Sequence, residues 1–323
     1  MKNLYLSLTL ILTFSFLLMP LIAVDGGKTE NIGTSSVPIT DTADLKSIDE
    51  FRVYLKDTQK VVEVKTAEYL LGVLAAEMPA TNSAEALKAQ TVASYTFAYR
   101  KAVQNKKSDY DLTNDSSLDQ GYIDSEARKA KWGEKQAEYE KKLKDIIAKV
   151  EDMLIVYNNE PIFAAYHAIS PGNTEAAENV WGTAYPYLKS KSSAYDLLSP
   201  QFLSEVKITA SDFKNKLISL GVTPSDDAAK YIGKNAKTTA GTVKKITLCG
   251  KEFTGAEIRT AFNLRSAAFD IAFSNDTFIF TVNGYGHGVG MSQFGANYMA
   301  EQGSTYTEIL NAYYEGVKIV KLK

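Results

Sequence analysis

The sequence predicts an α+β fold, a helical core joined to a β-rich section. Two long stretches, 66–104 and 126–150, repeat apolar residues at helical spacing. Residues 52–65 and 243–282 hold short runs of strand character instead. The two kinds of segment follow one another in mixed order, without the regular strand–helix–strand alternation of a parallel sheet, and no internal repeat is visible.

Taken in order, residues 4–24 (LYLSLTLILTFSFLLMPLIAV) carry no charge and follow Lys2. As a helix at about 1.5 Å per residue they span roughly 31 Å, close to the hydrocarbon thickness of a bilayer. The run is longer than the apolar region of a signal peptide, about 7–15 residues, and ends Leu21-Ile22-Ala23, with Leu where a cleavage site wants a small side chain. The expectation is an uncleaved transmembrane anchor over 1–24, with Lys2 on the cytoplasmic side and the body outside. A cleaved signal peptide is the alternative. Residues 25–47 are rich in Gly, Ser, Thr and Asp and read as a flexible linker, leaving 48–323 as the folded body.

Alternation around Asp57-Thr58 predicts a hairpin of Val53–Leu55 with Val61–Val64. A helix from Ala67 to about Glu77 follows, with Thr66 as N-cap and Pro79 as the stop. Asn82 and Glu85 form a candidate capping pair for a second helix, Ser83 to Gln104, whose Ala84, Leu87, Thr91, Ser94 and Ala98 make a small-residue face. One helix is expected over 126–150, with Glu138/Lys142 and Glu140/Lys144 as supporting pairs. Strands are expected at Leu154–Tyr157, Ile162–Tyr166, Val243–Leu248 and Phe278–Val282, and helices at Ser211–Leu220, Ser292–Gln302 and Thr305–Glu315. Thr305 and Glu308 read as a capping box for the last.

The 323 residues balance 36 Lys and Arg against 38 Asp and Glu, a formal net charge of −2, so the basic excess of a nucleic-acid binder is missing. One cysteine, Cys249, excludes an internal disulfide and a thiolate zinc cluster within this chain. Glycines at 284, 286, 288 and 290 follow a strand and precede a helix. Their spacing does not make a dinucleotide fingerprint, and no Lys-Ser/Thr end follows. The loop reads as backbone that needs positive φ or a close approach, or as a cleft wall against a ligand chain, with His287 either a site residue or a structural one.

Glu77 sits in Leu74-Ala75-Ala76-Glu77-Met78-Pro79 at the negative end of a helix, among small and apolar neighbours. Both surroundings favour the protonated acid, which suits a general acid; an exposed or ion-paired glutamate is the alternative.

Three long motifs then stand in order: EYLLGVLAAEMPA with SAEALKAQTVASYTFAY, then YHAISPGNTEAAENVWGTAYPYLKS, then GYGHGVGMSQFGANYMAEQGSTYTEILNAYYEG. Together with Phe253-Thr254-Gly255-Ala256-Glu257-Ile258-Arg259, the chain over about 50–323 resembles the stage II sporulation protein D family. The resemblance implies a lytic transglycosylase with a long glycan-binding groove. It cleaves peptidoglycan between N-acetylmuramic acid and N-acetylglucosamine on strands lacking stem peptides, leaves 1,6-anhydro ends, and remodels the septal wall during engulfment. Residues 48–155 would carry the catalytic Glu77, and 156–323 the central and C-terminal parts.

By the same resemblance Lys88, Tyr187, Lys189, Asp196, His167, Glu175 and His287 are substrate-binding candidates. A solvated lysine is the alternative for Lys88. Expected partners are glycan strands, a cell-wall amidase or endopeptidase of the stage II sporulation protein P type and a membrane complex; no nucleic acid is expected. Many relatives read Ala-Arg-Thr-Tyr where this chain has Ser94-Tyr95-Thr96-Phe97, so that arginine's contact is either missing or supplied by another residue such as Arg100. Asp111–Gln120, where some members hold zinc, contains neither Cys nor His, so no metal and no cofactor are expected. A non-catalytic amidase enhancer that binds peptidoglycan is the rival reading, and a water-using glycoside hydrolase is another.

Overall fold

The computed structural model describes residues 45–322. The anchor expected at 4–24 and the linker to residue 44 lie outside the described residues. Leu45, still within the expected linker, is already buried in the folded body. Among the described residues no helix is long and apolar enough to cross a membrane. The architecture is mixed α+β, built from several small sheets. Two compact units divide it: residues 45–164 with Thr305–Thr307 and 317–322, and Ala165–Ser304 with Glu308–Gly316.

In the first unit, β1 (Glu50–Leu55) pairs antiparallel with β2 (Lys60–Lys65), Val53 opposite Val62, as the hairpin pattern predicts. Helices α1 (Thr66–Glu77) and α2 (Ala84–Gln104) follow. Their caps differ from expectation. Lys65 precedes α1, and the Thr66 hydroxyl donates to the Ile48 carbonyl instead of capping. Ser83, not Asn82, holds the N-cap of α2, and the Glu85 carboxylate turns outward to accept from Tyr306 N at 2.8 Å. Strand β3 (Leu112–Thr113) runs parallel to β1 on its other edge.

The helix expected over 126–150 is broken. It forms α3 (Ser125–Trp132), a 3₁₀ turn (Gly133–Lys135) and α4 (Gln136–Lys149), because Gly133 takes φ +56°. Strand β4 (Met153–Tyr157) pairs with β5 (Glu160–Pro161) and with the C-terminal strand Lys318–Lys321. The buried face of α2 packs on β4, where Thr96 Oγ1 donates to Val92 O (2.7 Å) and accepts from Ile155 N (3.0 Å).

In the second unit, of the strand expected at Ile162–Tyr166 only Tyr166 falls in β6 (Tyr166–His167), whose neighbour comes from far along the chain: β6 lies parallel to Met291–Ser292. A short helix, α5 (Ala177–Trp181), precedes the β-rich section. There β7 (Leu203–Thr209) is followed by α6 (Ala210–Ser219), β8 (Ile232–Lys237), β9 (Val243–Leu248), β10 (Lys251–Phe253), α7 (Gly255–Ala261), β11 (Phe269–Ser274) and β12 (Thr277–Asn283). The sheets run β11-β12-β7 and β10-β9-β8. Alternate residues of β12 point inward, and Phe278 and Phe280 meet Phe213 of α6, with the Phe213 and Phe278 rings stacked 3.9 Å apart. Burying one such side chain contributes about 1.5–3 kcal/mol. With Met291–Ser292 taken as β13, α8 (Gln293–Glu301) starts behind the Ser292 cap, and Gly303 ends that turn at φ +94°.

Candidate functional site

The first candidate corner is built on the end of α1. Met78 leaves the helix in an extended conformation and Pro79 follows it, so Glu77 is the last helical residue. Its side chain is buried, and Gly121 N donates to Oε1 at 2.7 Å. That contact spans 44 positions and depends on a second glycine. A Cβ on Gly72 would lie 2.5 Å from Tyr122 Cε2 and 2.6 Å from Ile123 O. Without it, the segment 120–123 lies flat along α1 and Ile123 N donates to Gly72 O. Gln120 Nε2 donates to Tyr69 OH (3.0 Å), and Tyr122 stacks on Tyr69 at 5.5 Å.

Two cations fasten the same corner. Arg128 is buried and donates to Glu68 (2.5 Å), Glu140 (2.9 Å) and the Ile123 carbonyl (3.1 Å). Lys131 Nζ donates to Ala75 O at 2.7 Å, which sets a positive charge at the negative end of α1. Although Lys131 stays exposed along its length, the protein around its ammonium lowers its pKa by desolvation, and the Glu77 charge opposes that shift. Nothing adjacent in sequence pointed to Gly121, Lys131 or Arg128; the only signals were a glycine in Gln120-Gly121-Tyr122 and an arginine inside a helix otherwise read as solvated.

Lys88, the other candidate in this unit, is half-buried. Its ammonium pairs with Glu85 at 2.5 Å and lies 5.9 Å from the Tyr306 ring centre. Arg100 donates to Pro161 O at 2.7 Å.

The second corner lies in the other unit, around the glycine loop. All four glycines take positive φ, at 74°, 112°, 82° and 74°. Three of them also have no room for a side chain: a Cβ on Gly284 would lie 2.7 Å from Ile169 O, one on Gly286 2.8 Å from His167 Cβ, and one on Gly290 would collide with Ala165 O. The loop therefore meets both structural requirements read from the sequence, and what it approaches is the chain's own segment 165–175.

His167 and His287 hold the backbone of one residue, Val289, by its carbonyl and its N–H. His167 Nδ1 lies 3.1 Å from Val289 O and must donate to it, while Val289 N donates to His287 Nδ1 at 3.0 Å. The rings are 5.9 Å apart, and Trp181 of α5 sits 5.1 Å from His287. Desolvation lowers the pKa of His167 against the pull of Asp196. Desolvation also drives His287 well below its ordinary value, helped by His167 and Arg259. Both imidazoles are therefore neutral at pH 7. His167 Nε2 is buried and accepts from no protein group.

Asp196 and Glu175 are fully buried. Asp196 accepts from Ser170 N and from Ser292 Oγ, each at 2.8 Å. Glu175 accepts from Ala176 N (2.9 Å), Asn179 Nδ2 (2.8 Å) and Thr238 Oγ1 (2.5 Å). Tyr187 is also buried, and its carbonyl accepts from Glu315 N at 3.2 Å. Lys189 is exposed and pairs with Glu315, which also takes Lys191 at 2.5 Å. Of these candidates the structure brings His167, His287 and Asp196 together, holds Glu175 against the same loop through a bridge to Val289, and sets Lys189 on the surface.

Arg259, quoted as part of a motif but given no role by sequence, lies on α7. Its Nε donates to Leu264 O at 3.4 Å. Desolvation lowers its pKa to about 10, and Tyr285 is the one group opposing that shift. Among the described residues no three or more His, Cys, Asp or Glu side chains are grouped to hold a metal ion.

Residues 54–157 match a family described as Stage II sporulation protein. The chain is 39% identical to stage II sporulation protein D of Bacillus subtilis strain 168 over 271 residues, 83% of this chain and 78% of that protein. It is 38% identical to the protein of the same name from Bacillus amyloliquefaciens over 270 residues, 83% and 77% of the two chains. The amidase enhancer of Bacillus subtilis is 27% identical over 304 residues, 77% of this chain and 40% of that protein.

Proposed function

Because this chain belongs to the stage II sporulation protein D family, we infer that it is a peptidoglycan lytic transglycosylase acting on glycan strands stripped of their stem peptides. The observation that carries the chemistry is the buried carboxyl group of Glu77, held by a backbone N–H at the end of a helix.

The reaction needs one acid that becomes a base. Protonated Glu77 gives its proton to the glycosidic oxygen between C1 of N-acetylmuramic acid and O4 of the next sugar, and that C1–O bond breaks. The resulting carboxylate takes the proton of the muramoyl 6-hydroxyl as O6 bonds to C1. The products are a 1,6-anhydro end and a strand with a new 4-hydroxyl, and Glu77 ends as it began. Hydrolases typically use two carboxyl groups, because water must be activated separately. An internal nucleophile removes that need. Gly121 N–H, anchored through Gly72, keeps the carboxyl in one orientation for both half-reactions.

The same reading places segment 4–24 in the membrane, with the body outside the cytoplasm beside a cell-wall amidase that prepares the substrate. Similarity to an amidase enhancer supports one second reading, a non-catalytic stimulator of such an amidase.

Replacing Glu77 with Gln separates them. Gln matches the shape and hydrogen bond but moves no proton, so anhydro ends on denuded strands, counted by mass spectrometry, should fall by at least about 10²–10⁴-fold while glycan binding persists. Anhydro products within about tenfold of the wild-type level would refute Glu77 as the acid–base, being less than that contribution.

A further inference from the structure

The proline that stops α1 leaves a gap in its hydrogen bonding. In an α-helix the carbonyl of one residue accepts from the N–H four residues on. For Ala75 that residue is Pro79, which has no N–H to give. Lys131 Nζ fills the place, donating to Ala75 O at 2.7 Å. The carbonyl it takes lies two residues before Glu77, on the last turn of the helix.

The reach of Lys131 is set by its own helix. Arg128, one turn earlier on α3, donates to Glu68 of α1 at 2.5 Å and to Ile123 O at 3.1 Å. Residues three apart share a helix face, and so do Glu68 and Ala75, seven apart. Two cations on one face of α3 thus hold one face of α1, the second of them on the turn that carries Glu77. The Arg128 bond to Ile123 O also fixes the segment whose Gly121 N–H binds Glu77 Oε1.

The other charged groups on the elements packed against α1 are engaged or exposed. Asp119 pairs with Lys101 at 2.8 Å, Glu140 takes Arg128, Glu85 takes Lys88, and Lys142 donates to Asn82 O. Asp124 caps α3, whose Glu126 and Lys129 are exposed. Arg52 of β1 pairs with Asp111, and Glu50, Lys60, Glu63 and Lys65 of the hairpin are exposed. Burial raises the pKa of Tyr69 and Tyr122, so neither phenol ionises near neutral pH. A buried carboxylate at the negative end of a helix is poorly stabilised, and a cation on the same turn offsets both burdens. Glu77 in return raises the pKa of Lys131 against the desolvation that lowers it.

We propose that Lys131 is a positioning residue for the acid–base step, its charge held on the last turn of α1 so that the Glu77 carboxylate left by proton transfer is stabilised until it takes the proton of the muramoyl 6-hydroxyl. The inference rests on the transglycosylase reading above and deepens it. A neutral side chain there makes Glu77 a weaker acid, which keeps its proton to higher pH and passes it on more slowly.

The test is the pH profile of kcat/KM for anhydro-end formation on denuded strands, measured with the full-length chain. Its alkaline limb reports loss of the proton from the acid of the free enzyme. Lys131→Met should move that limb up by about 0.5–1 pH unit and lower the plateau about 3–10-fold, one pH unit matching a tenfold change. Lys131→Arg, which keeps the charge, should restore both. Lys129→Met removes an equal charge from another face of α3 and should leave the limb in place. Should Lys131→Met fail to fold, Lys131→Gln replaces it, since its amide donates to a carbonyl but carries no charge.

An unmoved limb in the neutral variant overturns the proposal and leaves Lys131 a fastening of α3 to α1. A rise in KM with kcat and the limb unchanged overturns it in favour of direct glycan contact. A limb that moves as far in Lys131→Arg or in Lys129→Met overturns it too, since the effect would then not belong to the charge at this position. If the unsubstituted chain forms no anhydro ends at any pH, the transglycosylase reading fails first, and this proposal with it.

Discussion

Asp196 shows how one side chain organises a motif region. Its two oxygens accept from Ser170 N and Ser292 Oγ, groups 122 positions apart in sequence, and Ser292 Oγ accepts in turn from Gly295 N as the cap of α8. Asp196→Ala leaves two buried donors unsatisfied, at about 1–3 kcal/mol each. A loss of about 2–5 kcal/mol in unfolding free energy by urea titration is therefore expected. A loss below about 0.5 kcal/mol, the range of an ordinary surface substitution, would show that these bonds are not what holds the segment. Sequence reading placed Asp196 among substrate-binding residues because the resemblance did. Its burial was not legible, since both of its partners lie outside the local segment. The helix end at Glu77 was legible, because small apolar neighbours and Pro79 define it without any distant contact. Gly121 was not, since its amide means nothing until the chain returns from 44 positions away.

Among the elements, α1 depends on the segment lying across it. Alanine at Gly72 would favour the isolated helix by about 0.5–1 kcal/mol. In this structure the added Cβ meets Tyr122 and the Ile123 carbonyl, and one of those is backbone that cannot rotate away. Overpacking of this kind costs about 1–3 kcal/mol, so Gly72→Ala should be net destabilising, the reverse of its helix propensity. It should also lower anhydro-end formation, because segment 120–123 carries the Gly121 amide away from Glu77. A thermal melt beside a product count checks both, and a variant that melts higher with full activity would contradict the packing. Helical and strand periods predicted α1, α2, β9 and the hairpin well, because each buries a face whose spacing is written locally. They failed at the ends, where the Thr66 hydroxyl goes to Ile48 and Glu85 to Tyr306, and at Gly133, where one glycine of positive φ divides a continuous apolar stripe.

For the molecule as a whole, the scarcity of histidine makes a pH experiment unusually easy to interpret. The chain has two, His167 and His287, and the fold holds both neutral by desolvation. In the unfolded chain each titrates near about 6.5. With folded values depressed, the unfolded state binds more protons than the native state at every pH from about 6.5 down to the native pKa. Their contribution to stability is thus complete above about 6.5 and is lost as pH falls, by up to about 1.4 kcal/mol per pH unit for each histidine. Asp115, held at about 2 chiefly by its hydrogen bond to Lys56, does not titrate in that window. Urea unfolding of the second unit, followed by Trp181 fluorescence, should show the midpoint constant from pH 8 to 7 and falling steadily from 6.5 to 5. His287→Asn should flatten that fall by about one proton, whatever it does to stability at pH 8. A midpoint that stays level down to pH 5 would mean that the imidazoles accept protons inside the fold, and the neutral pair holding the Val289 backbone would have to be abandoned.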